Sequence, residues 1–249
     1  MDSPNSVTWF ADRIEAPDHG CDSPYWRCDM AVKLLIESMD ATITDEDQIR
    51  MDAILSFWFK EHELSAPQID GRMDIWFGED PVFDHEIEKE FAEDVERASA
   101  GELNHWAHAP GGRLALILLL DQFRRNIYRG TAKAFEKDKA ALKLCVEGAM
   151  EKTDRGLAPI HRVFFYMPLQ HAESRKVQAK SRKIYERLAG SVSATYKETF
   201  ETIAQFADLH ADIIDRFGRF PHRNKLLNRE NNPEEDEYLA DESPGFGQG

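Results

Sequence analysis

The sequence predicts an all-α fold of about eight helices joined by short turns, on three observations. Apolar residues recur at steps of three and four over long segments. Helix boundaries are marked by Thr, Asp or Asn ahead of a first turn and by Gly behind a last one. Alternating β-type runs and hairpin dipeptides are nearly absent.

Residues 1–44 hold Pro4, Pro17, Gly20 and Pro24 among scattered acids and read as a partly irregular extension, with one short helix from Met30 to Met39. A helical domain is expected over 45–240. Thr44 caps its first helix, Asp45, Glu46 and Asp47 suit the positive end of the helix dipole, and Ile54, Phe57 and Trp58 form the apolar face. Asp80 caps the next, with Pro81 at its first position, Phe83, Ile87, Phe91 and Val95 at steps of four, and Gly101 beyond its end. The stretch from Gly112 through Phe123 is apolar on all sides, which marks a central helix.

A fourth helix is expected from about Thr131, with Phe135, Leu142, Cys145, Val146 and Ala149 on one face. Gly156 and Pro159 lead into a fifth, which Pro168 should interrupt or kink. His171 to Leu188 reads as helix. Phe200, Ile203, Ala207, His210, Ile214 and Phe217 then make a long stripe that Gly218 stops. Asn232 and Pro233 open a last short helix, and residues 241–249 read as a flexible tail.

A balance of 46 acids against 31 bases, formal charge −15, argues against nucleic acid or an anionic membrane as a partner. Cys21, Cys28 and Cys145 form no C-x-x-C pair, so the expectation is a reducing cytoplasm, without disulfides. The longest aliphatic run, Leu114 to Leu120, is far short of the roughly 20 residues that span a bilayer. No signal-peptide pattern, phosphate loop, dinucleotide fingerprint or nucleophile elbow is present, so no cofactor is expected. No metal is expected either, for want of His and carboxylates at ligand spacing.

The charge is unevenly spread. Residues 1–50 contain 11 acids and 4 bases, and residues 230–242 contain 7 acids and no base. From Arg216 to Arg229 there are five bases and no acid. These bases either line an anion-binding cavity or neutralise the acidic ends.

Asp121 and Arg125, four apart, form either a structural clamp or the floor of a pocket. Arg162 and Tyr166 repeat that spacing. His171 and Gln178, seven apart, share a face if the segment is helical, and His210 is either a satisfied core residue or a general base. In "RFGRFPHRN", Arg216 and Arg219 can cover helix-end carbonyls while Phe217 and Phe220 staple the loop. Arg219, His222, Arg223 and Asn224 are expected to turn inward toward the Asp121 and His171 segments, where a guanidinium fork and an amide suit a carboxylate.

"WFG" with Phe83 and Asp84, "LALILLLDQFRRNIYRGTAKAF", "RVFFYMPLQHAES" and "RFGRFPHRN" with "PEE" resemble, in order, the bacterial family catalogued as domain of unknown function 924, over about residues 50–240. The resemblance implies a tetratricopeptide-like antiparallel helical array. It also implies one polar constellation from Asp121, Gln122, Arg125, Asn126, Arg162, Tyr166, His171, Glu173, Gln178, His210, Arg219, His222, Arg223 and Asn224. The chain departs from the family at Arg124, where proline is usual, and at Ala172, where serine is usual.

The leading functional expectation is a polar, net-cationic pocket binding an anionic small molecule or an acidic peptide. The alternatives are a hydrolase or transferase using His171 or His210 as general acid or base with arginine anion clamps, and a structural polar network without a ligand.

Overall fold

The computed structural model describes residues 42–61 and 63–240; the helix expected over Met30 to Met39 and the tail 241–249 lie outside them. The described residues are helices and turns, with no strand. Helix α1 (Asp45–Phe59) begins with a reciprocal cap: the Asp47 N–H donates to Thr44 Oγ1 at 3.1 Å, and the Thr44 N–H donates to the Asp47 carboxylate at 3.0 Å. It buries Met51, Ile54, Trp58 and Phe59. Two short helices, α2 (Ala66–Asp70) and α3 (Met73–Phe77), turn the chain. Helix α4 (Pro81–Ala100) starts where Asp80 accepts the N–H groups of Val82 and Phe83, and it ends on Gly101 at φ 85°.

The central rod is built from α5 (Pro110–Ile117), a wider π-helical stretch (Leu118–Phe123) and α6 (Arg124–Ile127). Every residue from Gly112 to Asn126 is buried. Gly112 permits this: a Cβ there would lie 2.3 Å from the Trp106 carbonyl oxygen and 2.6 Å from Met51 Sδ.

The next helix, α7 (Asp138–Glu151), begins later than Thr131, the expected start. The Thr131 hydroxyl donates back to the Tyr128 carbonyl at 2.7 Å, and Phe135 ends a separate 3₁₀ turn, Ala132–Phe135. Helix α8 (Pro159–Gln170) carries Pro168 inside it and continues to Gln170. Only Leu169 and Gln170 follow it in the helix, so little helix lies beyond the bond that its missing N–H removes.

Helix α9 (Arg175–Ser191) starts after His171, which closes α8, so the expectation that His171 and Gln178 share a helix face fails. Helix α10 (Lys197–Phe217) runs antiparallel to α9: Arg175 reaches the Asp215 carbonyl while Arg182 reaches back to the Asp208 carbonyl. Gly218, at φ 74°, stops α10. After the 3₁₀ turn Pro221–Arg223, α11 (Pro233–Ala240) is held by the Asn232 side chain, which accepts the Glu235 N–H at 2.9 Å.

The main core joins α1, α4, the rod, α7, α8, α9 and α10, with aromatic side chains of α1, α3, α4 and α8 meeting around Trp58 and Phe164. A smaller cluster of Ile213, Ile214 and Phe220 lies at the end of α10.

Candidate functional site

A cavity of about 300 Å³ opens between α3, the rod, α8 and α10. Trp76, Phe77, Met167, Ile203, Phe206 and Leu209 make its apolar wall. Gln122, Arg125, Asn126, Arg129, Gln170, His171 and His210 make its polar floor. Phe206 and Leu209 remain 39% and 36% exposed, unusual for large apolar side chains, and form an open rim.

The floor is organised by Asp121, which is 0% exposed. Its carboxylate accepts Arg125 Nη1–H at 3.1 Å, Gln122 Nε2–H at 2.6 Å and the His171 Nδ1 contact at 2.7 Å. Burial alone would raise this carboxyl, but the Arg125 charge and the hydrogen bonds from His171 and Gln122 hold it below the usual carboxylate range. An ionised carboxylate only accepts, so His171 Nδ1 carries the proton and its lone pair is on Nε2. Burial, then the adjacent Arg125 charge, lowers the His171 pKa against the opposing pull of Asp121, which favours the neutral ring.

Arg125 spends its other arm on Asp138, 3.0 Å away, and Asp138 also accepts Arg223 Nη1–H at 3.1 Å. Arg223 continues to the His171 carbonyl at 3.2 Å and is sandwiched by Phe135 and Phe220, with ring centroids at 4.6 and 4.4 Å. Burial pushes its guanidinium down to about 10. His210 Nδ1 contacts the Phe206 carbonyl at 2.7 Å and must donate to it, and its ring lies 6.0 Å from that of His171. Burial, with neighbouring His171 and Arg223, lowers His210 to about 3; burial and Arg223 do the same for His222. Asn126 and Arg129 at the far side of the floor both hold Asp84, at 2.7 and 2.6 Å.

Of the residues expected to converge, Asp121, Gln122, Arg125, Asn126, His171, His210 and Arg223 do come together. Others point elsewhere. Arg162 donates to the carbonyls of Leu157 and Arg155, and the Tyr166 hydroxyl goes to Asp154. Gln178 is buried behind the floor, tying the Gln170 and Ala172 carbonyls.

Arg219 does not turn inward. It pairs with Glu235 at 2.6 and 2.7 Å, as Arg216 does with Glu234 at 2.7 Å, and Asn224 bonds Asn231 at 2.8 Å. His222 follows Arg223 into the interior but does not line the cavity. Within the basic segment Arg216 and Arg219 pair with the acidic C-terminal helix, while Arg223 is buried behind the floor and does not line the cavity. The helix-end carbonyl of Asp215 is covered by Arg175 instead.

The expected set lacked Asp138, which joins Arg125 to Arg223 across distant segments with no spacing to reveal it. It also lacked Arg129, which lies in the turn just after α6, four residues beyond Arg125, a spacing that was a usable signal. Among the described residues no group of three or more His, Cys, Asp or Glu is arranged to hold a metal ion, and no helix is long and apolar enough to cross a membrane.

No curated protein matches the chain. A solved structure of a protein of unknown function from Agrobacterium tumefaciens, ATU0120, is similar to it, with 34% identity and a TM-score of 0.65, covering 78% of this chain and 98% of that one. Residues 54–243 match the model of a bacterial family of unknown function. With the four motifs and the Asp121 floor inside that span, the chain belongs to the DUF924 family.

Proposed function

We propose that the cavity binds a small organic anion with an apolar body. The observation that carries this reading is the joining of the two surfaces in one cavity, the aromatic and aliphatic wall facing the Arg125, Asn126 and His171 floor. Each guanidinium on or behind the floor has a carboxylate partner; burial chiefly lowers His171 and His210, and the Arg125 and Arg223 charges add to it against the pull of Asp121 on His171. A carboxylate or phenolate head at the floor would complement those charges. A volume at the lower end of small-molecule sites, about 300–1,000 Å³, suits a compact ligand better than an acidic peptide.

Thermal-shift and calorimetric screens of aliphatic and aromatic carboxylates test this. A ligand at about 100 times its Kd should stabilise the wild type by about 2.7 kcal/mol. Leu209→Trp, which fills the rim, should abolish the effect while leaving the unliganded melting curve close to wild type. Equal stabilisation of both proteins would move the site elsewhere, and the absence of binding by every carboxylate would end the proposal.

The second reading, an enzyme, is favoured by one contact, the oriented Asp121–His171 pair.

A further inference from the structure

We infer that His171 is a general base, positioned by Asp121, and that the cavity hydrolyses an ester whose apolar acyl chain lies along the Trp76, Phe77 and Phe206 wall. This rests on the cavity binding small organic anions, because the carboxylate product is such an anion.

The tautomer is the first support. Asp121 fixes Nδ1 as the protonated nitrogen, so the remaining nitrogen of a ring that lines the cavity is the one with a lone pair. The second is the composition of the lining, which among the described residues contains no Ser, Thr, Cys or Lys. With no side-chain nucleophile at hand, a base there has water to activate. The third is the floor around it. Gln122 and Asn126 each commit one amide hydrogen to a carboxylate, Asp121 or Asp84, and each has a second, while Arg125 supplies positive charge for a developing oxyanion.

The step balances as follows. His171 Nε2 takes a proton from water as the water oxygen bonds to the acyl carbon, and the carbonyl π pair moves onto its oxygen. When that pair returns, the bond from acyl carbon to the alcohol oxygen breaks, and the departing alkoxide takes the proton from Nε2. Ester and water become carboxylic acid and alcohol, and His171 is restored.

The charged and titratable groups facing His171 are Asp121 and Arg125 from the rod, Asp138 from α7, His210 from α10, and His222 and Arg223 from the loop after it. Their balance, with burial, lowers the His171 value, so activity should be present at neutral pH and fall on the acid side.

The test uses the full chain and p-nitrophenyl esters of increasing acyl length, with octanoate binding measured in parallel by calorimetry. The wild type should show saturable turnover above buffer. His171→Gln should lower kcat by about 100-fold or more with octanoate affinity kept. Asp121→Asn can keep a carbonyl oxygen where Oδ1 accepts from both Arg125 and His171 but removes the negative charge that stabilises the protonated ring, so kcat should fall and the acid limb of the pH profile should move to lower pH. A melting curve on each variant checks folding, and exposed His85→Ala should match wild type. Turnover that survives His171→Gln in a folded protein overturns the inference. Octanoate binding without hydrolysis of any ester also overturns it but leaves the binding reading intact, whereas neither binding nor turnover removes both.

Discussion

The aromatic core around Trp58 and the polar floor around Asp121 share the same rod, and those two residues are both fully buried, but different forces place them. Trp58 meets Phe83, Phe123 and Phe164 with ring centroids 5.9, 5.5 and 5.4 Å away, contacts that depend on shape and area. Asp121 meets His171, Arg125 and Gln122 through contacts that depend on which atom holds a hydrogen. The core should therefore tolerate a change of outline, and the floor should not tolerate a change of chemical type.

The largest expected effect tests that contrast directly. Asp121→Ala removes a fully buried carboxylate partner of Arg125 and should cost about 3–5 kcal/mol in urea unfolding. Phe91→Leu in the aromatic core changes outline more than type and should cost less than about 1.5 kcal/mol. Equal costs would break the distinction.

A smaller effect, read per pH unit, sharpens it. His210 and His222 have folded values of about 3 against an ordinary 6.5, so both are neutral in the fold while the unfolded chain takes up their protons below pH 6.5. Their contribution to stability is complete above that pH and lost as pH falls toward about 3, by about 1.4 kcal/mol per unit for each ring. Denaturation at successive pH values should show this slope, and His210→Gln should remove about half of it.

Smallest is the helix start outside both regions: Asp80→Ala frees the Val82 and Phe83 N–H groups and should cost about 1 kcal/mol in the same assay, with cavity binding unchanged.

The core was more legible in sequence than the floor. Asp80, Pro81 and Gly101 bound α4 because caps act within one turn, and the α10 stripe follows helical periodicity. Boundaries failed where a side chain acted backward, as the Thr131 hydroxyl does, or where a proline sat too near a helix end to break it, as Pro168 does. The floor was only half legible. Spacing within one helix identified Asp121 with Arg125, but Asp138 meets Arg125 and Arg223 through folding alone. Arg219 and Arg223, four apart in one short loop, go to opposite partners because Glu235 competes for the first.

The π-helical stretch at Leu118–Phe123 sets the phase between the two ends of the rod. The wider turn takes up one extra residue, so winding the same six residues as ordinary α-helix would rotate everything after them by about 100° relative to everything before. Leu114 to Ile117 would keep their places while Arg125, Asn126 and Arg129 swung away from the cavity. The widened turn thus works as a spacer that lets one uninterrupted helix serve two addresses, and its length is as much a part of the site as any charged group.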